Sequence, residues 1–231
     1  MCIDGSDIRK MKCKYILRGE VMGCDIHVCL EVKRYPYEDK KRENGFWVNA
    51  DKWTVDEDHI KYPEEYPNRF HIDYDDRIYK GRNYCLFSVL ANVRNYWNIE
   101  PISKPKGLPV DVSLETKQES DNYGTDGHSH SYLTLKEILD YKGWDREEES
   151  TDFAFDSEQV NKLKEKYKDK YLRCEGSSVG LQVYYKTDIK ELCGEFYYGT
   201  LETMKKNLRS HSIPNYQTTE DDIRLVFFFD N

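Results

Sequence analysis

"DIRLVFFFDN", residues 222–231, is the stretch that decides the fold. Its side chains alternate between two sides, which predicts a β-strand. One side carries Leu225, Phe227 and Phe229, and the other carries Arg224, Val226, Phe228 and Asp230. A strand with this much apolar surface is expected in the centre of a sheet. The last residues, Asp230 and Asn231, are then expected to emerge at an edge of that sheet.

A second alternating stretch lies near the other end of the chain, in "GCDIHVCLEVKRY", residues 23–35. Its even positions are apolar and its odd positions are mostly polar, so this segment is also predicted to be a strand. The charged turn "EDKKRENG" and the apolar "FWVNADKW" come next, and they predict a hairpin partner.

Helical patterns alternate irregularly with these strands. We expect helices in "RNYCLFSVLANVRNYW" (82–97, with Asn83 as N-cap), "TLKEILDYKGW" (134–144), "SEQVNKLKEKYKDKY" (157–171) and "TLETMKKNLRSH" (200–211). Thr134 and Glu137 have the spacing of a capping box. "LQVYYKTDI" (181–189) is predicted to be a strand, whereas 56–77, 98–131 and 145–158 are predicted to be surface loops or connections.

The pattern lacks a regular strand–helix–strand repeat. It therefore predicts an α+β protein, in which a mixed or antiparallel sheet packs with several short helices in a single domain, residues 22–231.

Residues 1–21 differ from the rest of the chain. "RGEV" before Met22 back-translates to a purine-rich ribosome-binding site, so we expect 1–21 to be an upstream extension and Met22 to be the natural start, with a genuine N-terminal arm as the alternative.

Composition limits the function. The 231 residues carry a formal net charge of −8, which argues against binding duplex nucleic acid but is compatible with a local basic pocket. Seven cysteines without a CxxC motif suggest a reducing cytoplasm rather than disulfides or zinc. We find no transmembrane run and expect no membrane partner.

Histidines next to acidic or polar residues are the candidates for chemistry. Asp25 and His27 are expected on one face of the first strand, where they suit a metal site, an acid that orients a base, or simply a solvated face. "GHSHS", residues 127–131, places His128 and His130 in an extended segment where both rings would point the same way toward a metal ion. Hydrogen bonding of the loop to itself explains the same residues without chemistry.

A ligand-binding role is predicted for residues close to two helix starts. Arg82 and Asn83 begin the 82–97 helix, and Ser131 and Tyr132 precede the helix at Thr134, whose N-terminus favours an anion. Arg82 would clamp a phosphate or carboxylate, whereas Arg94, at the other end of its helix, is more simply a partner of the helix dipole. Asp230 is a third possible metal ligand.

From Met22 onward the chain resembles an uncharacterised family of bacteriophage and prophage proteins. The resemblance rests on "MGCDIHVCLEVK", "RNYCLFSVLANVRN", "PISKPKGLPVDVS", "DGHSHSYLTLKEIL" and "IRLVFFFDN". It implies a phage-related origin and agrees with a start at Met22, and it supplies no mechanism.

Three functions are compatible with these residues and stand as hypotheses. The leading one is a metal-assisted hydrolase of a phosphoester or nucleotide-type small molecule, in which Asp25, His128 and His130 act at a divalent ion bound by Asp25, His27, His128, His130 and Asp230. The second is a non-catalytic phage anti-defence protein of the bacterial cytoplasm that sequesters a nucleotide signal. In the third, the acidic, tyrosine-rich surface docks on a host protein.

Overall fold

The computed structural model describes residues 23–231, so the expected extension at 1–21 lies outside the described residues. Three antiparallel sheets and several short helices form one α+β domain, which confirms the predicted fold class. The strands are β1 (Asp25–Arg34), β2 (Phe46–Asn49), β3 (Thr54–Val55), β4 (Phe70–His71), β5 (His128–Thr134), β6 (Glu147–Ala154), β7 (Tyr171–Ser177), β8 (Gly180–Asp188) and β9 (Ile223–Asp230). The α-helices are α1 (Glu57–Lys61), α2 (Tyr84–Ala91), α3 (Leu114–Asp121), α4 (Leu135–Asp140), α5 (Ser157–Tyr167), α6 (Ile189–Leu192) and α7 (Leu201–Lys205), with a π-helix at Glu195–Thr200.

The main sheet has the strand order β2-β1-β9-β5, so the C-terminal strand is central, as predicted. β9 pairs with β1 from Asp25↔Asp230 to Val32↔Ile223. The hairpin of β1 with β2 is also confirmed. None of the helices in residues 23–231 has the length and apolar character needed to span a bilayer.

One face of the main sheet forms the large apolar core. Alternate residues of β1 and β9, such as Val28 and Phe227, pack there against α2, α4 and the π-helix. α2 is shorter than the predicted 82–97 helix, because Asn92 adopts a left-handed conformation (φ 61°) and ends it. The predicted caps are confirmed: Asn83 caps α2, and Thr134 with Glu137 forms a capping box at α4.

The opposite face of the main sheet is polar and yet buried. Cys29 and Glu31 have 2% and 0% of their surface exposed, because α3 and its flanking turns cover them. Glu31 accepts hydrogen bonds from the Ser113 N–H (2.9 Å) and from Arg224 Nε (2.7 Å), and Arg224 also contacts Asp111 Oδ1 (2.8 Å). We call this set (Glu31, Arg224, Asp111, Ser113, Thr116 and Asn49) the polar layer; its members are buried except Asn49, which is partly buried, and Asp111, whose side chain is 56% exposed.

Residues 147–188 contain a smaller sheet with the strand order β6-β8-β7, and one face of this sheet packs against α5. The strand β8 and the amphipathic helix α5 confirm the predictions for these segments.

Three loop predictions were wrong. The 145–158 segment contains β6, which pairs with β8. Its side chains alternate between exposed and partly buried, but most of them are charged or polar, so the sequence shows no apolar alternation. The 98–131 connection contains α3, in which only Thr116 and Ser120 are buried, so it has no apolar period to detect. The 56–77 loop contains α1 and β4. At 200–211 the helical prediction covers only α7, which ends at Lys205.

The polar layer predicts a large stability effect of one substitution. Glu31→Gln removes the buried carboxylate from the Arg224 guanidinium and leaves only the half-exposed carboxylate of Asp111, so it is expected to lower the free energy of unfolding by about 3 kcal/mol. Urea denaturation at neutral pH measures this. The exposed Glu165→Gln is the control and is expected to change stability by less than about 0.5 kcal/mol. A loss for Glu31→Gln no larger than that of the control would contradict the account.

Candidate functional site

The predicted metal ligands come to the same end of the main sheet. Asp25 faces Asp230 across the β1–β9 pair, and His128 faces Phe229 across the β5–β9 pair. Antiparallel pairing through the central strand therefore gathers the start of β1, the start of β5 and the C-terminus. We call this region the histidine end.

Phe228 separates the histidine of β1 from that of β5. The His27 ring stacks on Phe228 with centroids 4.9 Å apart, and the His130 ring stacks on it at 5.1 Å. Because strands lie about 4.8 Å apart and β9 lies between β1 and β5, the two imidazoles are about 10 Å apart. Imidazole–metal bonds are about 2.1 Å long, so these two rings do not reach one ion in this arrangement.

A bulge turns the two loop histidines apart, so the expectation that both rings point the same way was wrong. The pairing register breaks between His128 and Ser131, and Ser129 has φ 52°. The His128 ring stacks on Phe229 (6.1 Å), whereas His130 stacks on Phe228. These consecutive phenylalanines point to opposite faces of β9.

Residues 23–231 contain no group of three or more His, Cys, Asp or Glu side chains arranged to hold a metal ion. The divalent ion, its proposed ligands and the roles of Asp25, His128 and His130 stay a prediction.

Asp25 and Arg82 satisfy each other at the surface. Arg82 Nε lies 2.6 Å from Asp25 Oδ1, and Nη2 lies 2.5 Å from Oδ2, with both side chains about half exposed. This bidentate contact lowers the pKa of the Asp25 carboxyl. The guanidinium that was expected to clamp a ligand is therefore engaged by a carboxylate of the protein.

The other predicted ligand-binding residues have structural partners. Asn83 accepts from the Leu86 N–H as an N-cap and donates to the Leu192 carbonyl (2.6 Å). Ser131 is fully buried, and the Tyr132 ring lies 4.3 Å below Lys106 Nζ.

The helix start at Thr134 also differs from expectation. The Glu137 carboxylate accepts from the Thr134 N–H (2.7 Å) and occupies the place expected for an anion. The Thr134 N–H at this helix end is therefore already bound by a carboxylate of the protein, and anion binding there stays a prediction.

His27 is 8% exposed, and charged residues flank both of its ring nitrogens. Asp230 Oδ2 lies 3.4 Å from Nε2, and Arg77 Nη1 lies 3.4 Å from Nδ1. The Tyr123 ring covers the imidazole at 4.0 Å. Burial lowers the pKa of His27, and the Asp230 carboxylate opposes that shift. His27 is therefore packed among charged groups of the protein, although its Nε2 makes no hydrogen bond with residues 23–231.

The polar surroundings include residues that the sequence analysis missed. Arg77 and Glu119, 3.7 Å apart, come from the acidic loop and from α3, where no pattern marks them. Asp51 accepts from the Leu30 N–H (2.9 Å) beside β1, and burial raises the pKa of its carboxyl to about 7.

A second candidate site lies in the 147–188 region, far along the chain from the histidines. A cavity of about 590 Å³ opens between the end of α5, the following turn and the end of β8. We call it the lysine cavity. It is lined by Lys166, Tyr167, Lys168, Asp169, Lys170, Tyr185, Lys186, Thr187, Asp188, Glu191 and Leu192.

The cations and anions of the lysine cavity differ in how far they are neutralised. Asp188 accepts from the Glu191 N–H as the cap of α6, and Glu191 accepts from the Tyr198 hydroxyl. In contrast, the ammonium groups of Lys168 and Lys170 have no hydrogen bond or ion pair with any residue in 23–231. The cavity thus offers two unpaired cations, with the Asp169 carboxylate between them in the chain also unpaired among residues 23–231.

Comparison with protein-family models, with curated proteins and with solved structures gives no match. The function is therefore inferred from the geometry of these two places.

Asp51 makes the polar surroundings of β1 sensitive to pH. Its carboxyl pKa rises from 3.8 to about 7 in the folded state, so folding favours the protonated form. Stability from this group is complete below the unfolded pKa and is lost as the pH rises through the folded pKa. Asp51→Asn cannot ionise, so the unfolding free energy of the variant minus that of the wild type is expected to grow from pH 4 to pH 8.

Urea denaturation across this pH range measures the difference. Asp126→Asn, at an exposed position, is the control and is expected to give a difference that does not change with pH. A difference for Asp51→Asn that is equally constant would show that the carboxyl ionises normally in the folded protein.

Proposed function

We propose that the protein binds a small anionic ligand of nucleotide type in the lysine cavity, without needing to transform it. The observation that supports this proposal is a cavity lined by four lysines and three acidic residues, in which Lys166 and Lys186 have carboxylate partners and Lys168 and Lys170 have none among residues 23–231. In a chain whose formal net charge is −8, two unpaired ammonium groups at one cavity favour an anion at that place.

Size and shape agree with a small molecule. A volume of about 590 Å³ lies within the range of about 300–1,000 Å³ that is typical of ligand sites. Lysine ammonium groups interact with phosphate as mobile point charges, which suits a phosphorylated ligand.

The wall of the lysine cavity also offers aromatic surface. The Tyr167 and Tyr185 rings are nearly parallel, with centroids 3.6 Å apart and planes at 6°. Lys166 Nζ lies 2.8 Å from the Tyr167 hydroxyl. A base that extends this stack would gain affinity without requiring a particular sequence of hydrogen bonds.

The backbone of Lys168 is strained in a way that suits a binding role. It has φ 44° and ψ −117°, a conformation that favours glycine, and yet it carries a lysine whose ammonium has no partner among residues 23–231. Strain of this kind tends to be retained where a side chain is needed at a site.

A purely structural explanation accounts for part of the charge. Lysines near the end of α5 offset the helix dipole, which is equivalent to about half an elementary charge. Lys164 and Lys166 lie in the last turn of α5 and already supply two charges. The helix dipole does not account for the other lysines of the cavity. These are Lys168 and Lys170, which follow the helix, and Lys186 on β8.

The sequestering hypothesis is included in this proposal, and the hydrolase hypothesis is tested separately. A phage-related protein of the bacterial cytoplasm that sequesters a nucleotide signal would use the lysine cavity directly. The metal-assisted hydrolase would instead act at the histidine end, and it stays a prediction that a turnover assay decides.

Calorimetry with adenosine, adenosine monophosphate and adenosine diphosphate tests the proposal. The phosphorylated compounds are expected to bind more tightly than adenosine, and added salt is expected to weaken their binding. Replacing both Lys168 and Lys170 by Gln is expected to raise the Kd at least about tenfold, equivalent to about 1.4 kcal/mol.

The control variant carries Lys162→Gln and Lys206→Gln, which change the net charge equally outside the lysine cavity. It is expected to keep the wild-type Kd within about twofold. An equal loss in both variants, or no binding of any of the three compounds at millimolar concentration, would refute the proposal.

Incubating the same nucleotides with the protein and Mg²⁺, Mn²⁺ or Zn²⁺ tests the hydrolase hypothesis. Binding alone predicts that the nucleotide is recovered intact after heat denaturation. Product that disappears with a chelator and with His128→Ala would instead support hydrolysis at the histidine end.

A further inference from the structure

A groove runs beside the edge strand of the main sheet. It has a volume of about 470 Å³ and lies between β2 and the start of α3. We call it the edge groove. It is lined by Gly45, Phe46, Trp47, Val48, Asn49, Asp111, Val112, Ser113, Leu114 and Glu115.

Apolar side chains at the edge groove are unusually exposed. Leu114 is 83% exposed and Phe46 is 53% exposed, and the neighbouring Val110 projects fully into solvent at 107%. Single exposed apolar residues are ordinary, but several around one groove mark an interaction surface.

The backbone of β2 adds directional binding capacity. β2 is the outer strand of the main sheet, and within residues 23–231 no strand pairs with its outer edge. Its N–H and C=O groups on that side can pair with an added extended segment, while side-chain pockets beside it select the sequence.

The two walls of the groove are held together from within. The Trp47 indole N–H donates to Asp111 Oδ2 (3.1 Å), and the Arg224 guanidinium lies 3.9 Å from the Trp47 ring. Arg224 in turn is anchored to the buried Glu31. A groove fixed in this way is formed before binding, which lowers the entropic cost of association.

Charge identifies the kind of segment that fits. The lining contains two carboxylates, Asp111 and Glu115, and no lysine or arginine. Asp111 remains 56% exposed at its side chain, although it contacts Arg224. Glu115 has no ion-pair partner in the described part of the chain. Because Arg224 and the Trp47 N–H already contact Asp111, Glu115 is the carboxylate that favours a cationic side chain in an approaching segment. The exposed Leu114 and Phe46 favour apolar side chains.

We propose that the edge groove binds an extended segment of a partner protein that alternates apolar and basic side chains, by adding a strand to β2. The apolar side chains contact Phe46 and Leu114, and the basic ones lie on the side of Glu115. This surface is separate from the lysine cavity, so the proposal does not rest on the proposed function.

A synthetic nine-residue peptide of alternating valine and lysine is the test probe, with a valine–glutamate peptide as its counterpart. Fluorescence anisotropy gives the affinity, and amide hydrogen exchange gives the location. The lysine peptide is expected to bind at least tenfold more tightly than the glutamate peptide and to slow exchange of amides within residues 46–49.

Leu114→Lys removes apolar surface and adds a positive charge, like that of the lysine peptide, at an exposed position. It is therefore expected to lower the affinity for the lysine peptide about tenfold. Val179→Lys, at an exposed site in the turn between β7 and β8, is the matched control and is expected to have no effect on peptide binding. The double variant Lys168→Gln, Lys170→Gln is expected to bind the peptide like the wild type, which separates this test from that of the lysine cavity.

Three results would overturn the proposal. The first is unchanged exchange at residues 46–49 at millimolar lysine peptide, and the second is equal weakening by the Leu114 and Val179 variants. The third is a dimer in analytical ultracentrifugation that Leu114→Lys dissociates, because it would show that a second copy of the chain covers the groove.

Discussion

The pairing of β9 with β1 is the constraint on which the rest of the structure depends. Eight residue pairs, from Asp25↔Asp230 to Val32↔Ile223, fix which side chains share a face. A shift by one residue would move the phenylalanines of the core to the polar side. The same register places Glu31 opposite Arg224, and this pair connects the sheet to α3 and to the edge groove.

The burial of both faces has a physical consequence for function. The polar layer is covered by α3, and each of its charged groups has a partner within the protein. Because a buried charge without a partner is costly, the layer stabilises this arrangement of the sheet only when all of those partners are present. At the histidine end, Asp25 and Asn83 contact groups of the protein itself, whereas the buried Nε2 atoms of His27 and His128 have no hydrogen-bond partner among residues 23–231. The carboxylate and the amide that are bound internally are less available to a ligand than the ammonium groups of Lys168 and Lys170 in the turn after α5.

The sequence predicted the elements whose stability comes from a regular pattern. β1 alternates between apolar and mostly polar residues, β9 is a short run of largely apolar residues, and the caps at Asn83 and Thr134 follow from local hydrogen bonding, so these features were found. β6 was missed because its exposed face is charged, and α3 was missed because it buries only small hydroxyl side chains. The separation of His27 from His130 depends on strand order, and the divergence of His128 from His130 depends on a bulge at Ser129. Neither is encoded in residue spacing. The lysine cavity was missed for a similar reason: Lys186 comes from β8, and the other three lysines come from α5 and the turn after it.

Anion binding by the lysine cavity rather than by the histidine end is the central claim of this account. Soaking crystals with tungstate, an analogue of phosphate that scatters anomalously, locates the preferred anion site without assuming a natural ligand. The account predicts that the strongest anomalous peak lies within hydrogen-bond distance of Lys168 Nζ and Lys170 Nζ. A strongest peak beside His128 or Arg77, with none in the lysine cavity, would contradict it.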